Sequence, residues 1–130
     1  GDDGYAAFPW GTNSVSCSEA HFGDCGDPVT SPMDVGSKPA GASPFGLLDL
    51  AGNVWEWVYD YHEADYYSSS PPDDPEGPET GTQRALRGGF YDSSAGSLRS
   101  ANRNKASPDM DSDDRYGGRC RRPVPAAWVP

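Results

Sequence analysis

Asn53 and Glu56 are the residues of this chain best suited to hold a cation. They lie in Gly52-Asn53-Val54-Trp55-Glu56-Trp57-Val58-Tyr59-Asp60, where an amide and carboxylates come close together with no basic residue among them. On a continuous strand, residues three apart point to opposite faces. Gly52-Asn53 instead favours a turn, because asparagine tolerates left-handed backbone geometry. Such a turn brings the Asn53 amide oxygen beside the Glu56 carboxylate, with turn carbonyls exposed between them. Calcium takes roughly six to eight oxygen ligands of this mixed kind. The competing reading is that Asn53 caps the turn and Glu56 pairs with an arginine such as Arg87 or Arg99.

Other chemistry is thinner. His21 and His62 are the only histidines, and His62 beside Glu63 and Asp65 has the ordinary pattern of a surface histidine. The chain has no Gly-x-Ser-x-Gly elbow and no phosphate loop. Cys17 and Cys25 suit a local disulfide, with two buried thiols as the alternative, and Cys120 stands alone. Three scattered cysteines make no zinc site.

The elements that must position these residues are short. The strongest strand runs over 54–60, with Val54, Glu56, Val58 and Asp60 on one face and Trp55, Trp57 and Tyr59 on the other, expected to be the core side. A second strand reads over 84–91, where Gly88 and Gly89 allow close packing. Shorter strands are expected over 98–103 and 118–122. Residues 1–44 read as loop anchored by Phe8-Pro9-Trp10-Gly11, and 68–75 as a polar connection. No amphipathic helix of ten or more residues is visible.

Composition agrees with a loop-rich domain. The 130 residues suffice for one domain. Sixteen glycines, 13 prolines and only 35% apolar residues lean toward disorder. Four Trp, seven Tyr and four Phe answer that with much apolar surface from few side chains, so a small aromatic core is expected. Twenty acidic residues against ten basic ones give a net charge of −10, which repels phosphate backbones and argues against nucleic acid. Nine of the ten cations follow residue 83, so an acidic front pairs with a mixed rear. No apolar run has the ~20 residues of a membrane span. The polar start Gly1-Asp2-Asp3-Gly4 reads as a cut from a longer polypeptide, with an extracytoplasmic setting slightly favoured.

Phe45-Gly46-Leu47-Leu48-Asp49-Leu50-Ala51-Gly52-Asn53-Val54-Trp55-Glu56-Trp57 resembles the signature of the formylglycine-generating enzyme, or sulfatase-modifying factor, family. Three further segments resemble the family in order: Phe8-Pro9-Trp10-Gly11, Leu86-Arg87-Gly88-Gly89-Phe90-Tyr91, and 98–103 with Pro108-Asp109 and Gly117-Gly118-Arg119-Cys120. The resemblance implies an α+β, C-type-lectin-like fold with short antiparallel strands and little helix. It also implies a structural calcium ion on Asn53, Glu56 and the backbone carbonyl near Val54. At the second family calcium site, His21 follows Ala20 where an asparagine is usual.

The departures bear on function. Family oxidases bind copper through two cysteines in the loop after the Gly-Gly pair, and soft Cu(I) needs such thiolates. Here that loop is Phe90-Tyr91-Asp92-Ser93-Ser94-Ala95-Gly96-Ser97-Leu98, without cysteine, and Phe90 replaces the usual serine. No catalytic residue is assigned, and copper is not expected. The part of the domain that precedes Pro-Trp-Gly in the family has no counterpart here, so 1–130 is read as a single partial domain, its C-terminal portion. Three functions compete: a calcium-stabilised binding or accessory module for a protein or small-molecule ligand; a metal oxidase whose chemistry lies in other residues or domains; and a diversified ligand-binding protein. The last would vary Asp92, Ser93, Ser94, Ser97, Asn102, Asn104, Lys105, Ser107, Asp111, Ser112, Asp113 and Asp114.

Overall fold

Alternating tryptophan, valine and tyrosine pack well on a pleated surface, and they build the central strand β1, Trp55–Tyr61. The computed structural model describes residues 6–26, 28–73, 75–110 and 113–120. β2 is Arg84–Arg87, β3 is Asn104–Ala106 and β4 is Tyr116–Gly117. They form one mixed sheet in the order β3-β2-β1-β4, antiparallel except for β1 against β4. The helical content described is four single 3-10 turns, Gly23–Cys25, Pro39–Gly41, Tyr66–Ser68 and Ala95–Leu98. This is the loop-rich α+β arrangement expected.

The aromatic face of β1 is only partly the core side. Trp55 is buried and Trp57 half-buried, but Tyr59 is 87% exposed. The pairing with β2 shifts between Trp57 and Tyr61, and such an irregularity breaks the strict alternation that sequence periodicity assumes. Tyr59 instead lies 5.3 Å from the Arg84 guanidinium.

β2 stops at Arg87 rather than continuing to Tyr91. Gly88 and Gly89 follow with φ of 91° and 77°, and a Cβ on Gly88 would lie 2.9 Å from the Leu50 carbonyl oxygen. The close packing expected of these glycines is therefore real, but it ends the strand. The strand expected over 98–103 is a turn: Asn102 Nδ2 donates to the Ser97 carbonyl at 3.0 Å, and Leu98 is fully buried. β3 begins only at Asn104. At the end of the chain, β4 comes earlier than the expected 118–122 strand, of which Arg121 and Arg122 lie outside the described residues.

Two apolar clusters hold this together. Phe8, Ala20, Phe22, Ala51 and Leu98 form one; Trp55, Leu86 and Ala106 form the other, flanked by Trp57, Phe90 and Tyr116. Leu86 and Leu98 are the large side chains buried most completely among the described residues. Such thin clusters gain from covalent help, and Cys17 and Cys25 are joined in a disulfide beside the first one. Reduction is expected to cost about 2–3 kcal/mol, the loop entropy returned to the unfolded chain. Urea midpoints with and without reductant check this, and identical midpoints would refute it. Among the described residues, no helix is long and apolar enough to cross a membrane.

Candidate functional site

Gly52 and Asn53 make the turn that the dipeptide suggests, with φ of 78° and 63°. Around it three segments are tied to one residue, Asn53. The Asn53 backbone N–H donates to the His21 carbonyl at 2.8 Å, and its carbonyl accepts the Tyr91 N–H at 2.9 Å. Its side chain does the same for a third strand of chain: Oδ1 accepts the Met33 N–H at 2.8 Å and Nδ2 donates to the Met33 carbonyl at 3.2 Å. Asn53 is 8% exposed, so these bonds satisfy groups that water could not easily reach.

Glu56 is held separately. Arg119 Nε lies 3.0 and 2.7 Å from its two carboxylate oxygens, and Nη2 also donates to Oε1. The same Nη2 donates to the carbonyls of Leu48 and Asp49 at 3.1 and 3.2 Å. A guanidinium thus sits among a bidentate carboxylate and two backbone carbonyls. The hydrogen bond to Glu56 raises the Arg119 pKa above its ordinary value, outweighing desolvation. Neither Arg87 nor Arg99 plays this part. Arg87 faces Glu56 in strand register, yet its guanidinium donates to the Ser100 and Asn102 carbonyls and to the Tyr67 hydroxyl.

Asn53, Val54 and Glu56 carry donor types that suit calcium, but here the two side chains answer to different partners. Calcium on both would require Glu56 to leave Arg119 and Asn53 Oδ1 to offer its second lone pair beside the Met33 N–H. Val54 packs its side chain toward Gly117, where an added Cβ would lie 2.9 Å from Cγ2. Among the described residues, no three His, Cys, Asp or Glu gather as a metal cluster. At His62, burial and then the nearby Arg103 and Lys105 lower the pKa, a cationic setting opposite to one that collects metal ions. His21 Nε2 lies 3.0 Å from the Ser31 carbonyl.

The positions singled out as variable divide in two. Asp92, Ser94, Asn104 and Lys105 are exposed. Ser93 is buried and its Oγ accepts the Phe90 N–H at 3.0 Å, Asn102 closes its turn, and Asp114 accepts the Tyr91 hydroxyl at 3.0 Å. Hydrogen bonds from Arg115 hold the Asp113 carboxyl at about 2. Asp111 and Ser112 lie outside the described residues.

Two concavities lie on the described surface. One, of about 360 Å³, is walled by Pro9, Pro44, Phe45, Leu47, Leu50 and Leu98, and Arg87 and Arg99 also line it. The other, of about 620 Å³, has Tyr59, Tyr61, Asp60, Glu76 and Glu79 in its lining, with the Arg84 guanidinium 3.6 Å over the Tyr61 ring. The cation that this acidic, aromatic groove attracts is one of the chain's own. Sequence reasoning missed the Arg119 seat and the apolar pocket, because both join residues far apart in the chain. The one sequence signal for the seat was the Gly-Arg-Cys segment that contains Arg119.

Comparison with known proteins gives a consistent picture. The model of the sulfatase-modifying factor enzyme 1-like domain matches residues 3–124. A serine/threonine-protein kinase of Chlamydia pneumoniae is 40% identical over 84 residues, covering 63% of this chain and 13% of the kinase. A formylglycine-generating enzyme of Streptomyces coelicolor is 47% identical over 78 residues, covering 58% of this chain and 24% of the enzyme. Among solved structures, Treponema denticola variable protein 1 superposes with a TM-score of 0.72 at 30% identity, covering 88% of this chain and 41% of that one. The chain thus corresponds to a segment of longer polypeptides, and it spans far less than two thirds of these relatives.

Proposed function

The chain belongs to the family of sulfatase-modifying factor enzyme 1-like domains, and from that premise we propose that it is a binding or accessory module rather than a copper oxidase. One observation carries this reading: residues 90–98, where the oxidases bear their copper thiolates, contain no cysteine. Of the three cysteines elsewhere, Cys17 and Cys25 are spent on a disulfide, and Cys120 is a single exposed thiol. Hydroxyls do not replace a thiolate pair for Cu(I). That a kinase carries a similar segment supports a module joined to other domains. The C-type-lectin-like description of the fold and the status of 1–130 as a partial domain belong to the same reading. Incubation with copper and a Cys-x-Pro-x-Arg peptide is expected to leave the cysteine unchanged; formation of the aldehyde would establish the oxidase reading instead.

Calcium is the finer part of the proposal. It rests on the donor types of Asn53, Val54 and Glu56, and it requires the ion to replace Arg119 at Glu56. Arg119→Ala alone is expected to cost about 1–2 kcal/mol, allowing for solvent screening of a half-exposed arginine. Millimolar calcium should then raise the melting temperature, and raise it further in Arg119→Ala, whose carboxylate lacks its cation. Coincident melting curves in both proteins would remove calcium and leave Arg119 as the resident cation.

The likeness to a variable protein favours a second reading, a ligand-binding surface that diversifies. Natural variants should then differ at Asp92, Ser94, Asn104 and Lys105 while keeping Ser93 and Asn102. Equal variation at the two hydrogen-bonded positions would count against it.

A further inference from the structure

We infer that the 360 Å³ pocket beside Leu98 binds a small amphipathic carboxylate, an aromatic or branched apolar group carrying one anionic end. This names a ligand class for the binding module proposed above and rests on that reading. The pocket has the size of a small-ligand site and not of a folded partner's footprint. Its apolar walls come from two separate segments, Pro9 and then Pro44, Phe45, Leu47 and Leu50, with the fully buried Leu98 packed beneath them. Phe45 is 91% exposed and Leu47 48% exposed, so a large apolar surface stands in water at its edge. An aromatic or branched group seated there would remove that surface from water.

Charge selects the other end of the ligand. The whole chain carries −10, yet among the described residues no carboxylate lines this pocket, while Arg87 and Arg99 both do. Neither of the ion pairs among the described residues involves them. Arg87 is anchored by the Ser100 and Asn102 carbonyls and by Tyr67, which leaves it as a fixed positive charge. Arg99 is exposed, and its guanidinium fork suits a carboxylate. A locally cationic, apolar pocket on an acidic protein is complementary to an anion with an apolar body, and it discriminates against cations.

The test uses the intact chain and three probes: N-acetylphenylalanine, its neutral amide, and a tripeptide ending in phenylalanine. Titrations followed by amide shifts should show N-acetylphenylalanine saturating at roughly millimolar concentration or below, with perturbations at residues 45–50 and 98–100. The amide should bind about tenfold more weakly, for want of the charge-assisted contact. Arg99→Gln, at an exposed position, should shrink that difference to what Arg87 alone sustains, and Phe45→Ala should weaken both probes. Absence of shifts in the folded chain, or equal affinity for acid and amide, would overturn the inference. A tripeptide binding more than about tenfold tighter than the acetylated amino acid would overturn it in favour of a peptide partner. Aldehyde formation in the copper assay would sink the module reading without touching these titrations, so the two failures are distinguishable.

Discussion

Gly52→Ala should lower folding stability by on the order of 3–5 kcal/mol, enough to unfold a thin-cored domain at ambient temperature. Two penalties act together. The backbone at Gly52 has φ of +78°, which costs a residue with a side chain about 1 kcal/mol or more. The added Cβ would also lie 2.4 Å from the His21 carbonyl oxygen, and that oxygen is pinned by the Asn53 N–H. Gly46 supplies the control. Its φ is +77°, but a Cβ there meets nothing within 4 Å, so Gly46→Ala should cost only about 1 kcal/mol. Urea denaturation of the two variants separates strain from collision. Equal losses would mean that the turn can move away from His21, and that the close approach is not what fixes it.

Asn53→Ala is expected to cost on the order of 3 kcal/mol. It removes both side-chain hydrogen bonds to Met33 at a buried residue and leaves alanine at a φ of 63°. Asn53→Gly loses the same bonds but tolerates the backbone, so it should be about 1 kcal/mol less damaging. The gap between the two measures the strain, and the loss common to both measures the amide clamp. A loss below about 1 kcal/mol in Asn53→Ala would show the clamp to be marginal. Measured in the presence of a chelator, the series reports the Met33 contact independently of calcium.

Much of this site was legible because local chemistry dictated it. Gly-Asn announces a left-handed turn, and residues 52 and 53 adopt one. Trp-Glu-Trp-Val-Tyr announces a strand, and β1 begins at Trp55. The close cysteine pair suited a disulfide, and one forms. Periodicity failed where tertiary contacts interrupt it: Tyr59 turns outward at the shifted pairing with β2, and Gly88-Gly89 ends a strand that hydropathy would continue. Leu98 reads as part of a strand in sequence, but it closes a 3-10 turn as a buried plug.

The sequence by itself determined the family, the loop-rich character, the Gly52-Asn53 turn and the absence of a thiolate pair from 90–98. All of these depend on residue identity within short windows. Only the tertiary structure brought Met33 to Asn53 and Arg119 to Glu56. The Asn53 and Glu56 side chains could serve a cation or the protein's own groups equally well by type, and Met33 and Arg119 lie 20 and 63 residues from them in the chain. Likewise, two apolar segments and two arginines become a pocket only when the fold sets them side by side over Leu98. A partner's identity at such separations is a property of the closed chain, and no local pattern encodes it.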